Sequence, residues 1–446
     1  MLAHSLESFE AVAYFPIPMQ GREDAMNGMW PDWFEDGLAR LWRPYCQMKT
    51  APLPLAVVAT EGSRIRLADG RELIDGISSW WTAVHGYNHP HIRAAMASQL
   101  ATMPHVMFGG LMHEPAARLA ARLSALSPTG PGRVFFAESG SVSVEVAIKM
   151  ALQYWLNRGE RRSKLVHFRH GYHGDTLGTM AVCDPEEGMH SLFRGMLATH
   201  VLADIPVDGE SERRFCDLLD RHHADVAAVI IEPLVQGAGG MRFHPPGALK
   251  ALADAAQARG LLLIADEIFT GFGRTGTMFA CEQAGVRPDI MTVSKALTGG
   301  TTPLSAAIAG EHVYAAFHDE DPMKALMHGP TYMAHPLGCA AANASLDLFA
   351  REPRLAEAQA LGEKMDSALR PLARHRAVAD IRVMGAIGVV ELRSERDAHG
   401  LGAAFLADGV FLRPLGRVVY LTPALNIPDA GLERLCQAIL RRVGDL

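Results

Sequence analysis

From about residue 130 to about residue 310 the chain alternates between two patterns. Short runs rich in aliphatic and β-branched residues (RVFFAES, KLVHFRH, DVAAVIIEP, LLLIADE, DIMTVSK and LSAAIAG) read as strands. Between some of them lie stretches whose apolar positions recur at helical spacing. In SVSVEVAIKMALQYW, Val144, Ala147, Ile148, Ala151 and Trp155 share one helical face and are assigned to the core. Near-continuous apolar strands alternating with helices predict a mostly parallel sheet covered by helices. Ligands of such sheets bind beyond the carboxyl ends of the strands.

The two ends of the chain read differently. SRIRLADGRELIDG predicts a hairpin turning at Asp69 and Gly70. Beyond residue 345 come a helical stretch, RLAEAQALGEKMDSALRPLARH, the strand-like GAIGVVEL, VFLRPL and RVVYLTP, and a closing helix. The expected organisation is an N-terminal tail and segment, residues 1–75, that joins the small domain; a large domain, residues 76–345; and a smaller α+β domain, residues 346–446. No internal repeat or low-complexity linker interrupts it.

Composition narrows the functional classes. In 446 residues, 49% are hydrophobic and 20% charged, ordinary values for a globular protein. The net charge of −7, with no cluster of Lys and Arg interleaved with aromatics, argues against nucleic acid and anionic membrane as partners. No apolar stretch approaches the length of a membrane span. The opening MLAHSLESFEAVAYFPIPMQGREDAM lacks the basic flank of a secretory signal and is expected to be a loose tail. Cys46, Cys183, Cys216, Cys281, Cys339 and Cys436 form no CxxC pair, so reduced thiols in a cytoplasmic protein are expected.

The segment LLLIADEIFTGFGRTG raises the chemical question, because a buried strand ends in Asp266 and Glu267. A nucleotide-triphosphate site would need a GxxxxGK[ST] loop, and no Gly-Lys pair occurs in the chain. A dinucleotide site would need GFGRTG to follow the strand directly and open a helix; here the two carboxylates intervene. The third reading pairs Asp266 with Lys295, which follows the strand of DIMTVSK. A lone lysine is usually a solvated loop residue. A lysine and an aspartate at two strand ends of one parallel sheet can, however, meet in its crevice. Lysine forms a Schiff base with an aldehyde cofactor, and aspartate pairs with that cofactor's pyridinium nitrogen. Ser139-Gly140-Ser141, where a strand gives way to a helix, supplies amides and a helix dipole suited to phosphate. Aldehyde, ring nitrogen and phosphate together describe pyridoxal 5'-phosphate.

At these motifs the sequence resembles the class III aminotransferases, of the fold type I PLP-dependent transferases, from about residue 40 to the C-terminus. WRPY, DGISSWWTAVHGYNHP, HVMFGGLMHEPA, ESGSVSVEVAIKMALQYW, RHGYHGDTLGTM, IIEPLVQGAGGM, SKALTGG, MHGPTYM and MGAIGVVE extend the likeness to the biotin-pathway subgroup. The resemblance implies a homodimer with shared active sites. It implies transfer of an amino group to 8-amino-7-oxononanoate, giving 7,8-diaminononanoate, with S-adenosylmethionine as the usual donor. Two alternatives stay open: lysine as donor, or another class III ω-aminotransferase acting on a diamine or ω-amino acid. A non-catalytic homologue is disfavoured by intact Lys295, Asp266 and Tyr172.

The resemblance also implies residue roles. Lys295 carries the cofactor and moves the proton, and Asp266 pairs with the ring nitrogen. Gly140 and Ser141 hold the phosphate, helped by Pro330 and Thr331 from a partner subunit. Tyr172 stacks on the ring, with Asp175 supporting it. Tyr45, Trp80 and Gly329 line the substrate pocket, Arg413 holds the substrate carboxylate, and Arg274 influences the donor. An eight-carbon chain ending in a carboxylate does need an apolar wall and a distant cation, which Trp80, Trp81 and Arg413 can supply. Such tryptophans are otherwise usually core, and such an arginine usually surface. His85, His89, His91, His170 and His173 are read as hydrogen-bonded loop histidines and no metal is expected, since HExxH is lacking. Arg43 departs from the histidine expected before Pro44 and Tyr45.

Overall fold

The structure is a computed structural model describing residues 30–186 and 190–446. The expected tail and most of the 1–75 segment's opening, residues 1–29, lie outside the described residues. The chain divides into two compact units: a central unit, Pro90–Leu355, and a terminal unit that combines the residues up to His89 with Ala356–Leu446.

In the central unit seven strands form one sheet in the order Gly132–Ala137, Ser305–Gly310, Ile290–Val293, Leu262–Asp266, Val226–Ile231, Lys164–Phe168, Val201–Ala203. Ser305–Gly310 runs antiparallel to both neighbours, and the other pairings are parallel. The six strands expected from the aliphatic runs are all present. The seventh, Val201–Ala203, is a three-residue edge strand too short to stand out in the pattern. The register sets Asp266 opposite Thr292, with Lys295 three residues farther along that neighbouring chain segment.

Helix Gly140–Asn157 follows the first of these strands, with the Ser139 side chain capping it by accepting from Val142 N. Val144, Ala147, Ile148, Ala151 and Trp155 are all buried, as their spacing predicts. Val144, Ala147, Ile148 and Ala151 belong to a core cluster that includes Leu165, Ile230, Ile264 and Ile290 from the sheet.

The terminal unit has a four-stranded sheet, Val57–Glu61, Arg64–Leu67, Glu72–Asp75 and Val410–Phe411. Its hairpin turns through Gly70 at φ +87°, a conformation that suits glycine. Val410–Phe411 adds in parallel beside Glu72–Asp75. The unit also holds a three-stranded antiparallel sheet, Val378–Met384, Ile387–Leu392 and Val418–Leu421, and helices that include Leu401–Ala407 and Asp429–Gly444.

The division lies at His89/Pro90 and Leu355/Ala356, later than the expected 75/76 and 345/346. Backbone bonds explain the first difference: Thr422 N donates to Gly76 O and Leu425 N to Val84 O. A Cβ on Gly76 would come within 2.3 Å of Leu412 Cδ2, so this chain segment is packed against that unit. The second difference arises from helix Pro336–Arg351, which runs unbroken through position 345 and packs on helix Pro90–Thr102.

Candidate active site

Asp266 ends its strand almost wholly buried. Its Oδ1 accepts from Thr292 Oγ1 and Ile268 N, both at 3.2 Å, and its Oδ2 lies 2.8 Å from His173 Nδ1. The carboxylate is therefore fixed in place by partners from three segments. Next to it in sequence, Glu267 turns away into the fold and accepts from Thr270 Oγ1, Ala280 N and Cys281 N. Burial pushes its pKa up to about 7. Its role is to hold the adjoining loop. Gly271 N donates to Glu267 O, and a Cβ there would sit 2.7 Å from that oxygen. GFGRTG is thus a tight turn, with Gly273 and Gly276 at φ +84° and +98°, and it opens no helix. Arg274 lies buried within it.

Lys295 comes just after Ile290–Val293 with φ +43°, at the start of a 3-10 turn. Burial lowers its pKa, opposed by the charges of Asp266, Glu232 and Asp175. Glu232 follows the strand Val226–Ile231, which pairs with that of Asp266, and its carboxylate accepts from Tyr172 N and Gly237 N. Burial pushes it up to about 7; His173 opposes this and Asp266 adds to it. Tyr172 OH donates to Asp175 Oδ1 at 3.0 Å, and His190 Nε2 lies 3.0 Å from the same oxygen with its ring stacked on that of Tyr172. Asp175 N donates to Ser141 Oγ at 3.0 Å, which brings the Tyr172 loop onto the start of helix Gly140–Asn157.

Gly174 makes that close approach possible, and Gly140 lets the helix start lie against Ile268, two residues beyond Asp266. A Cβ on Gly174, at φ +132°, would fall 2.4 Å from Ser141 Oγ, and one on Gly140 would meet Ile268 Cδ1 at 3.1 Å. The helix start, Asp266 and Lys295 offer an anion cradle, an anchored anion and an amine of lowered basicity. They fit the phosphate, pyridine nitrogen and aldehyde of pyridoxal phosphate.

Gly329, Pro330 and Thr331 lie on a largely exposed segment of the same unit. The residues before them are tied to helix Gly140–Asn157, where Lys149 Nζ donates to Met327 O, Gln153 Nε2 to Ala325 O and Asn157 Nδ2 to Lys324 O.

The remaining expected residues belong to the terminal unit and cluster there. The Arg413 guanidinium lies 4.7 Å over the Trp80 ring, and Tyr45 meets Trp80 edge-on at 5.9 Å. Trp81 faces Tyr420. Ser78, Ser79, Trp80 and Trp81 have φ of +47°, +48°, +56° and +75°, a left-handed turn built without glycine. Such geometry costs roughly 1–2 kcal/mol per residue.

Of the histidines weighed from sequence, His91 bonds to Asp347, His170 N to Asp184, and His173 to Asp266. Among the described residues no group of three or more His, Cys, Asp or Glu could hold a metal ion, and no helix is long and apolar enough to cross a membrane. His173, Glu232 and His190 were not foreseen as part of the site. The Glu-Pro that closes DVAAVIIEP, parallel to the Asp-Glu of LLLIADE, was the available signal for Glu232.

The profile of the family described as aminotransferase class-III matches residues 45–443, and the chain belongs to that family. It is a pyridoxal-phosphate-dependent transaminase of fold type I. Among its relatives, the adenosylmethionine-8-amino-7-oxononanoate aminotransferase of Mycobacterium leprae is 44% identical over 416 residues, 91% of this chain and 95% of that one. The protein of the same name from Synechococcus elongatus is 45% identical over 422 residues, 90% of this chain and 97% of that one. The crystal structure of the namesake from Methanocaldococcus jannaschii superposes with a TM-score of 0.88 at 31% identity, covering 93% and 98% of the two chains.

Proposed function

We propose that the chain transfers the amino group of S-adenosylmethionine to 8-amino-7-oxononanoate, producing 7,8-diaminononanoate for biotin synthesis in the cytoplasm. The donor and acceptor are those in the names of the relatives. The observation that carries the acceptor reading is the Arg413 guanidinium over Trp80 with Tyr45 at its edge. A planar cation stacked on an aromatic wall suits a carboxylate at the end of an aliphatic chain.

Pyridoxal phosphate, when bound, supplies the electron sink for the substrate carbon. The chain's residues supply the rest. Lys295 binds the cofactor aldehyde, and its amine, made less basic by burial, takes and returns the proton at the substrate carbon. Asp266, held by Thr292, Ile268 and His173, keeps the ring nitrogen protonated. Gly140 and Ser141 bind the phosphate. Tyr172 orients the ring, and Asp175 orients Tyr172. Tyr45 and Trp80 bind the aliphatic chain, Arg413 its carboxylate, and Arg274 bears on the donor. The enzyme acts as a homodimer in which Pro330 and Thr331 serve the phosphate of the partner's site, and Gly329 lines the substrate pocket.

The test is a single half-reaction. Cofactor-loaded enzyme is mixed with S-adenosylmethionine or with lysine, and the cofactor absorbance is followed. Conversion by S-adenosylmethionine, with formation of the diamine once the keto acid is added, supports the proposal. Conversion by lysine alone changes the donor. No conversion by either makes a general ω-aminotransferase the better reading.

A further inference from the structure

We infer that Asp75 is a positioning residue for substrate recognition, its carboxylate holding the left-handed turn that sets Trp80 beneath Arg413. The inference rests on the proposed role of Arg413 and Trp80 and extends it to a buried residue outside the proposed contacts. Asp75 ends the strand Glu72–Asp75 and is only 2% exposed. Its Oδ1 accepts from Ile77 N and its Oδ2 from Ser79 N, both at 2.8 Å. Tyr87 OH donates to Oδ2 at 2.5 Å and lies 2.6 Å from Ser79 Oγ. One buried carboxylate therefore gathers the backbone on both sides of Ser78 and, through Tyr87, the Ser79 side chain.

The position of Asp75 matters because it stands at the entry to the turn. Ser78, Ser79, Trp80 and Trp81 are all left-handed, which L-residues adopt only when the surroundings impose it. Beyond the clamp, Trp81 N donates to Ile77 O and Thr82 N to Ser78 O, closing the turn. The turn aims consecutive indoles at different partners: Trp80 under Arg413 and against Tyr45, Trp81 against Tyr420. A right-handed or extended path would point Trp80 elsewhere and take the stacking surface away from Arg413. A carboxylate is needed because the partners at Asp75 are all donors, the two backbone N–H groups and the Tyr87 hydroxyl; an amide at this place presents one acceptor and one donor group.

The experiment uses holoenzyme and steady-state kinetics with 8-amino-7-oxononanoate. Asp75→Asn should raise KM for the keto acid by about tenfold while kcat stays within about threefold. In an Arg413→Ala background the same substitution should change KM little, because the surface it sets no longer serves a cation. Tyr87→Phe, which keeps the carboxylate and removes one donor, should show a smaller effect of the same kind, and it carries the test if Asp75→Asn does not fold. A KM unchanged in folded variants, or a rise that is the same with and without Arg413, overturns the inference. Failure of the underlying reading looks different: the unsubstituted enzyme would not turn over this keto acid.

Discussion

The carboxyl end of the Leu262–Asp266 strand and the Ser78–Trp81 turn each carry residues to which the proposal gives a role, and they are built in opposite ways. At the strand end, Asp266 sits on regular parallel sheet, and its side chain is fixed by Thr292, Ile268 and His173. At the turn the order is reversed. The backbone is held in an unfavourable region so that the side chains, Trp80 and Trp81, can point where they do. The first arrangement suits the proposed cofactor contact, since a sheet end is a rigid support. The second suits the proposed substrate surface, where a local change of backbone re-aims two large rings without disturbing the sheet.

Two kinds of failure are therefore expected. Lys295→Ala, on the sheet side, should remove turnover, with a loss well beyond the ~10²–10⁴-fold of a lost general acid–base, because covalent attachment goes as well. Both kcat and the absorbance of the loaded enzyme report it; near-normal kcat would defeat the assignment. Arg413→Ala, on the turn side, should act on KM. Removing one charge-assisted contact of about 1.5–3 kcal/mol raises KM for the keto acid roughly 10–150-fold, with kcat much less affected. An equal fall in kcat would place Arg413 among the groups that act in the transition state, and the two sides would no longer differ in kind.

The same contrast explains what could be read in the sequence. The sheet side was legible because its rules are local: LLLIADE and DIMTVSK show both the strand and the polar residue at or just past its end, Asp266 and Lys295. The helix start at Gly140 was marked by a capping serine after a strand. His173 was visible only as one of several loop histidines, because its bond to Asp266 spans ninety-three positions. The turn was not legible as a turn. Ser-Ser-Trp-Trp contains no glycine or asparagine to announce positive φ; a buried carboxylate upstream and a tyrosine downstream impose it. The bonds tying Gly76 and Val84 to Thr422 and Leu425 were not legible for a related reason, since they join distant parts of the chain.

Leu234 is one of several left-handed non-glycine residues in the central unit, and the effect expected there is smaller. Leu234, at φ +64° in EPLVQG, donates its backbone N–H to His244 Nε2 at 2.9 Å. Here the acceptor is a neutral imidazole, where Ser79 has the Asp75 carboxylate. His244 is buried, and burial brings its pKa down to about 4. Only the neutral ring can accept from Leu234. In the unfolded chain the ring titrates near its ordinary 6.5, so that state takes up the proton first as the pH falls. The contribution of His244 is therefore complete above about pH 6.5 and is lost as the pH falls through about 4, a change on the order of 3 kcal/mol. His244→Gln keeps an acceptor for Leu234 and removes the titration. The variant should be somewhat less stable than the parent at pH 7, with the gap closing or reversing by pH 4 in paired urea or thermal melts. Parallel stability curves across that range would show that the imidazole does not titrate as its burial requires.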